Sequence, residues 1–194
     1  MTAPILRPAL AADPRLVAGF TLRGFSPPDE GLDAARTRLG ETTGFPVAAV
    51  GQVHGADVAV VQEAGHVDAH DGRVTGRSGL VLSVVAADCA VVLLADPEAG
   101  VVGACHSGWR GTVAGIVGAT MRAMGGLGAV PSRTQAYLAP CISPEAFEVG
   151  EEVAAQFDAG VVVRRPEWPR PHVDLRADLA RQLAEAGVAE TEVS

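Results

Sequence analysis

Aromatic side chains make up 4% of the 194 residues, so Val, Ala and Leu must fill the interior. Cysteine is scarce as well. Cys89, Cys105 and Cys141 are odd in number with no close pairing pattern. That argues against a disulfide framework and for reduced thiols serving as ligand, nucleophile or core filler. No run of Lys or Arg is present and the formal net charge is −8, which speaks against nucleic acid as the main partner. The apolar segments are broken by Asp or Gly well short of a membrane span. The first residues, MTAPILRPALAADPRL, lack a signal core because Pro, Arg and Asp interrupt them. These absences lead us to expect a soluble, cytoplasmic protein with no membrane partner. There is no internal repeat and no domain boundary, and 48% hydrophobic residues suit one sizeable core, hence a single domain over 1–194. No pattern sets an oligomeric state.

What is present centres on the run from Ser83 to Met124. Ser83–Leu94 is nearly all Val, Ala and Leu, which predicts a strand buried on both faces, interrupted by Asp88 and Cys89. Asp96-Pro97-Glu98-Ala99-Gly100 is a turn, followed by a strand Val101–Cys105 ending at His106. The tight loop Ser107-Gly108-Trp109-Arg110-Gly111 leads to a helix from about Thr112, with Val113, Ile116, Val117, Thr120, Met121 and Met124 on one face. Gly115 and Gly118 within it predict the close approach of another element. Arg110, flanked by glycine at a helix N-terminus, is a candidate anion site.

Elsewhere the pattern predicts a first strand at Leu16–Leu22, a loop at Arg23–Pro28 and a helix at Asp33–Leu39 stopped by Gly40. Strands are expected at Val47–Val53 and Ala56–Gln62, bent about His54-Gly55. Glu63–Gly79, containing His66, Asp68, His70 and Asp71, reads as polar and turn-rich. After Met124 come a loop at Gly125–Ser132 and a strand at Thr134–Leu138. A helix capped by Ser143 then runs towards Phe157. Val161–Val163 is a short strand and Arg164–His172 an open loop. Asp174 caps a last helix with Leu175, Leu179 and Leu183 on one face and Gly187 at its end. Strands outnumber helices without regular alternation, so the class is α+β.

Imidazole and thiolate suit zinc or copper, and His54, Cys89 and His106 form a candidate ligand set that leaves a fourth position for water. Their separations are not those of a zinc finger. Taken singly, a Cys in a Val/Ala strand is more often core filler and a lone His a structural residue. Cys105 should alternate to the face opposite His106 and stay out of the site. His66, His70 and His172 are expected to be solvated.

Gln52-Val53-His54-Gly55-Ala56-Asp57-Val58, Ala87-Asp88-Cys89, His106-Ser107-Gly108-Trp109-Arg110-Gly111 and Pro140-Cys141-Ile142 through Glu148-Val149-Gly150 together resemble the signatures of the YfiH-type laccase-domain family. Its members have been called polyphenol oxidases and, later, purine nucleoside phosphorylases. The likeness runs from Val17 to Val188. It departs at Val91, where the family usually has Pro, and at Ser107, where it often has Ala. Family members usually continue beyond the position of Ser194, so the chain is expected to be shortened at its C-terminus. The resemblance implies mixed central β-sheets flanked by helices in an α/β/β/α-type layered sandwich. It implies one metal, usually zinc, on His54, Cys89 and His106, with copper a possibility. It also implies phosphorolysis of adenosine, inosine and methylthioadenosine, with adenosine deaminase side activity. The partners are then a purine nucleoside and phosphate.

In that frame Arg110 is the expected phosphate group and Arg23, matching an N-terminal family Arg, a weaker second. Asp88 is a candidate carboxylate for orienting a ligand histidine. Cys141, before a predicted helix, is a candidate catalytic or pocket-lining thiol. Two other readings stay open: a Cys-His amidase or hydrolase using Cys89 and His106, and a metal-binding protein without catalysis.

Overall fold

The computed structural model describes residues 5–6, 12–22, 25 and 29–194. The strands and helices, in order, are β1 (Ile5–Leu6), β2 (Phe20–Thr21), α1 (Gly31–Thr43), β3 (Val47–Val50), β4 (Val58–Val60), β5 (Gly65–Val67), β6 (Gly72–Thr75), β7 (Val81–Leu82), β8 (Ala90–Asp96), β9 (Val101–Ser107), α2 (Trp109–Val113), α3 (Ile116–Gly126), β10 (Gln135–Leu138), α4 (Glu151–Ala154), β11 (Val162–Val163), β12 (His172–Val173), α5 (Leu175–Glu185) and β13 (Glu190–Val193). Among these the main sheet runs β13-β10-β8-β9-β6-β4 and a smaller one runs β5-β3-β7. The main sheet is mixed: β10/β13 and β4/β6 are parallel, while β10/β8, β8/β9 and β6/β9 are antiparallel. The α+β class and the mixed sheets flanked by helices are therefore what the chain adopts. No described helix is long and apolar enough to cross a membrane.

The β8–β9 hairpin is the centre of the main sheet, and its continuous apolar sequence has a plain cause. Ala90, Val92 and Leu94 point into a core shared with Ile116, Val117, Met121 and Met124 of α3 and Leu179 and Leu183 of α5. Val91, Leu93 and Ala95 point the other way, against Tyr137, Leu16 and Phe20. Both faces are covered, so both sets are apolar. Strand β8 is nevertheless shorter than expected. It begins at Ala90, and the stretch from Ser83 to Cys89 is irregular, with Val85 through Asp88 exposed.

Other elements differ in instructive ways. The helix expected from about Thr112 is two helices, α2 and α3, broken at Gly115, whose φ of +78° is left-handed. A Cβ at Gly115 would meet nothing within 4 Å, and one at Gly118 would meet only the Arg122 side chain. Gly115 is thus needed for its backbone angle and not for a close neighbour. Helix α1 runs past Gly40 and ends at Gly44, φ +76°. Residues Pro144–Ala146 form a turn and not a helix start, and helix returns only at α4. His172 is buried in β12, bonded through Nδ1 to the Pro144 carbonyl at 2.8 Å and stacked on Trp168 at 3.9 Å. It is a structural residue and not a solvated one. The polar segment before Gly79 holds β5 and the interior strand β6, whose residues 72–75 are all buried. Helix α5 matches expectation, with the Asp174 carboxylate accepting from the Ala177 N–H at 2.9 Å.

Candidate metal centre

Three separate segments meet at one end of the β8–β9 hairpin. Pairing of Ala90 with Ser107 and Val91 with His106 sets Cys89, the residue before β8, beside the end of β9. His106 is 3% exposed, and Cys105, on the opposite face, is fully buried in the core below α3. Strand alternation thus selects one of two adjacent metal-binding residue types. His54 comes from the bend after β3, is exposed, and has a left-handed φ of 63°. The donor atoms of His54, Cys89 and His106 all lie within 4.8 Å of one another. The two imidazoles stand edge to face with centroids 4.8 Å apart.

Asp71, the residue before β6, is fully buried beneath the cluster. Its Oδ1 accepts from His106 Nδ1 at 2.8 Å and from the His54 backbone N–H at 3.0 Å. Its Oδ2 accepts from the N–H groups of Val53 at 3.0 Å and Gly55 at 2.7 Å. Burial alone would push this carboxyl up, but the bonds from His106, Gly55, Val53 and His54 outweigh it and hold it below the ordinary carboxylate value. With Nδ1 donating to Asp71, the Nε2 lone pair of His106 is left to face a cation. The same buried carboxylate bends the His54 segment around itself.

Glycine permits the close packing around these donors. A Cβ on Gly108 would lie 2.9 Å from Cys89 Sγ and 3.0 Å from His54 Cδ2, and one on Gly111 would lie 2.9 Å from the Gly55 carbonyl. Any other residue at 108 would push into the cluster. Gln52 ties the first segment to the second: its Nε2 donates to the Val85 carbonyl at 2.7 Å and its Oε1 accepts from the Val85 N–H at 2.9 Å. Ser107 and Thr112 share a buried hydroxyl bond of 2.8 Å beneath the loop. Burial pushes the Cys89 thiol up, and the nearby Asp88 and Asp71 carboxylates add to the effect. A cation bound there would displace the proton from this thiol, because a thiolate and not a thiol is the metal ligand. Two imidazoles and one such sulfur, with one ring fixed by a carboxylate, fit zinc or copper by the chemistry of the set.

The remaining candidates lie differently. Asp88 is exposed at a bend and not buried in a strand; the carboxylate bonded to a histidine of the cluster is Asp71. Arg110 is exposed, with its guanidinium 4.3 Å over the Trp109 ring. Helix α2 behind it has only five residues, too few for a developed helix dipole. Cys141 is half-buried and its thiol is pushed up by burial. With no helix starting at Ser143, the expected lowering by a helix terminus is absent. His66 is exposed and pairs with Asp68 at 3.0 Å. Arg23 lies outside the described residues. Gln52 opens the first of the family signatures, whereas Asp71 carries no pattern of its own in the chain. The one hint was the β-branched pair Val74 and Thr75 after Gly72, inside a segment whose polar residues suggest a turn.

Residues 28–194 match the family model described as multi-copper polyphenol oxidoreductase laccase. A purine nucleoside phosphorylase of Streptomyces griseus is 44% identical over 172 residues, covering 84% of this chain and 70% of that protein. A purine nucleoside phosphorylase of Deinococcus radiodurans is 41% identical over 185 residues, covering 91% and 72%. A protein from an unknown prokaryotic organism named adenosine deaminase is 37% identical over 153 residues, covering 71% and 58%. Among solved structures, a Neisseria meningitidis protein of the DUF152 family superposes with a TM-score of 0.75 at 30% identity, over 84% of this chain and 69% of that one. The protein YlmD from Geobacillus stearothermophilus gives 0.74 at 30% identity, over 82% and 67%.

Proposed function

This chain belongs to the multi-copper polyphenol oxidoreductase laccase family, the YfiH type, and from that premise we propose that it is a zinc-dependent purine nucleoside phosphorylase. Its proposed substrates are adenosine, inosine or methylthioadenosine with phosphate, and adenosine deamination is its proposed side reaction. The convergence of His54, Cys89 and His106 on one point carries this reading, together with the purine nucleoside phosphorylase and adenosine deaminase names of its relatives. Copper chemistry on phenols is less suited. Among the described residues one cluster of three donors is present, whereas a multicopper site draws on many more histidines.

His54, Cys89 and His106 are the proposed ligands, and a zinc ion held by them would supply Lewis acidity. The exposed His54 faces arriving substrate, while the buried His106 keeps its ring orientation through Asp71. Arg110 is the proposed phosphate-holding group: its planar fork suits the bidentate recognition of a phosphate. Asp88 is proposed as a polar group at the rim and Cys141 as a pocket-lining thiol.

The Asp71–His106 bond favours one second reading, a Cys-His hydrolase in which Asp71 orients His106 and His106 serves Cys89. The raised Cys89 pKa weighs against it, because a nucleophilic cysteine needs a lowered one. Metal analysis combined with an inosine-plus-phosphate assay, on wild type and His54→Ala, decides the matter. The expected result is stoichiometric zinc and phosphate-dependent release of hypoxanthine, both lost in the variant. Metal-free activity abolished by alkylating Cys89 would establish the hydrolase instead, and bound zinc with no base released would leave a metal-binding protein without catalysis.

A further inference from the structure

We propose that Asp71 is the positioning residue that assembles the metal centre before any ion arrives. The inference rests on the reading that His54, Cys89 and His106 hold an ion. An ionised carboxylate offers about four acceptor positions, and the Asp71 carboxylate takes four donors: the N–H groups of Val53, His54 and Gly55, and Nδ1 of His106. Every one belongs to a segment that carries a histidine ligand. No lone pair is left over to ligate a cation directly, so the group acts through its neighbours.

Its backbone reinforces the arrangement. The Asp71 carbonyl accepts from the His106 N–H at 2.8 Å, and the Asp71 N–H donates to the Asp57 carbonyl at 3.1 Å. One residue thereby binds the strand carrying His106 and both sides of the bend carrying His54. The left-handed φ of 63° at His54 is an uncommon state for a residue with a Cβ. Three consecutive N–H groups closing on one buried carboxylate hold it there. Gln52, through its paired bonds to Val85, then holds this bend against the segment that leads to Cys89. Exposed as it is, His54 is on this account no free loop side chain but a ligand pre-set through its backbone by a buried group.

The test is Asp71→Asn, which keeps shape but turns an amide N–H₂ towards backbone N–H donors. Zinc affinity, read by competition with a chromophoric chelator, is expected to weaken about 10–100-fold. Nitrogen NMR of the metal-free wild type should show His106 in the Nδ1-protonated tautomer, and the variant should lose that preference. Amide exchange of Val53, His54 and Gly55 in the metal-free wild type should be slow despite their place in a bend. Unchanged zinc affinity in a folded variant would overturn the proposal. So would Val53–Gly55 amides that exchange as fast as an open loop, a measurement that stands even where the variant does not fold. A wild type that binds no zinc also overturns it. Asp71-dependent zinc binding without hypoxanthine release would sink the phosphorolysis reading and leave this one standing.

Discussion

The two ends of the β8–β9 hairpin each hold a fully buried aspartate, and they use it to opposite ends. At the turn, Asp96 accepts from the N–H groups of Glu98 and Ala99, both at 3.1 Å, and of Val130 at 2.8 Å, and pairs with Arg133 at 2.9 Å. At the other end Asp71 likewise takes three backbone N–H groups, but its fourth partner is an imidazole. A guanidinium is a permanent cation with no acceptor, so the interaction ends there. An imidazole has a second nitrogen, and polarity imposed on one side is passed to the other. Similar carboxylates at the two ends of the hairpin therefore close a turn in one place and fix an imidazole of the candidate metal centre in the other. What differs is whether the partner has a second functional face.

The largest expected effect separates these ends through the metal. Cys89→Ser should lose bound zinc while the metal-free protein unfolds at the same denaturant midpoint as metal-free wild type. Chelation of the wild type should lower stability by about 3–4 kcal/mol if zinc is supplied at 100–1,000 times its Kd, read as a drop in melting temperature. Asp96→Ala should do the reverse. It leaves three N–H groups and a guanidinium without their acceptor and should cost about 3 kcal/mol in urea unfolding, with zinc stoichiometry unchanged. A loss of zinc in that variant would break the comparison.

A smaller effect is its acid signature. Burial alone would raise the Asp96 carboxyl, but Arg133 and the N–H groups of Val130 and Ala99 bring it down to about 2. A folded-state value below the unfolded one means that the stabilisation is complete above about pH 4. It is lost as pH falls towards 2. In Asp96→Asn the fall in stability between those limits should be shallower than in wild type.

The smallest effect concerns a third buried charge between the two ends. Arg73 of β6 is fully buried, and burial, with Arg36 adding to it, pushes its guanidinium down to about 10. Its Nη1 donates to the carbonyls of Ala48 and Ser83, while Nε and Nη2 have no partner. Replacement by Met removes two bonds and two unpartnered nitrogens together, so stability should move by less than about 1 kcal/mol. A loss of several kcal/mol would mean that Arg73 holds the two sheets together as firmly as Asp96 holds its turn.

Much of the fold was legible wherever a local pattern had one physical meaning. The Leu stripe and Asp cap of α5, the turn at Pro97–Gly100, and the burial of β8 on both faces are of this kind. Legibility failed where a residue's role is set by groups distant in the chain. Asp71, Gly72, Arg73 and Thr75 look like solvated turn residues, yet they lie buried, with the Asp71 carboxylate bonded to His106 and the Arg73 guanidinium to the Ala48 carbonyl, both distant in the chain. Ser143 and Pro144 carry good helix-start chemistry, but the His172 Nδ1 takes the Pro144 carbonyl and the chain turns instead.

The candidate ligands His54, Cys89 and His106 could be picked out from the chain because imidazole and thiolate chemistry belongs to the side chain and travels with it. Their motifs needed no partner to be noticed. Which carboxylate bonds to them was decided by tertiary structure. Strand pairing sets the direction of a side chain, and burial decides what a carboxylate must bond to. Neither quantity exists until residues 35 positions apart, such as Asp71 and His106, are brought into contact.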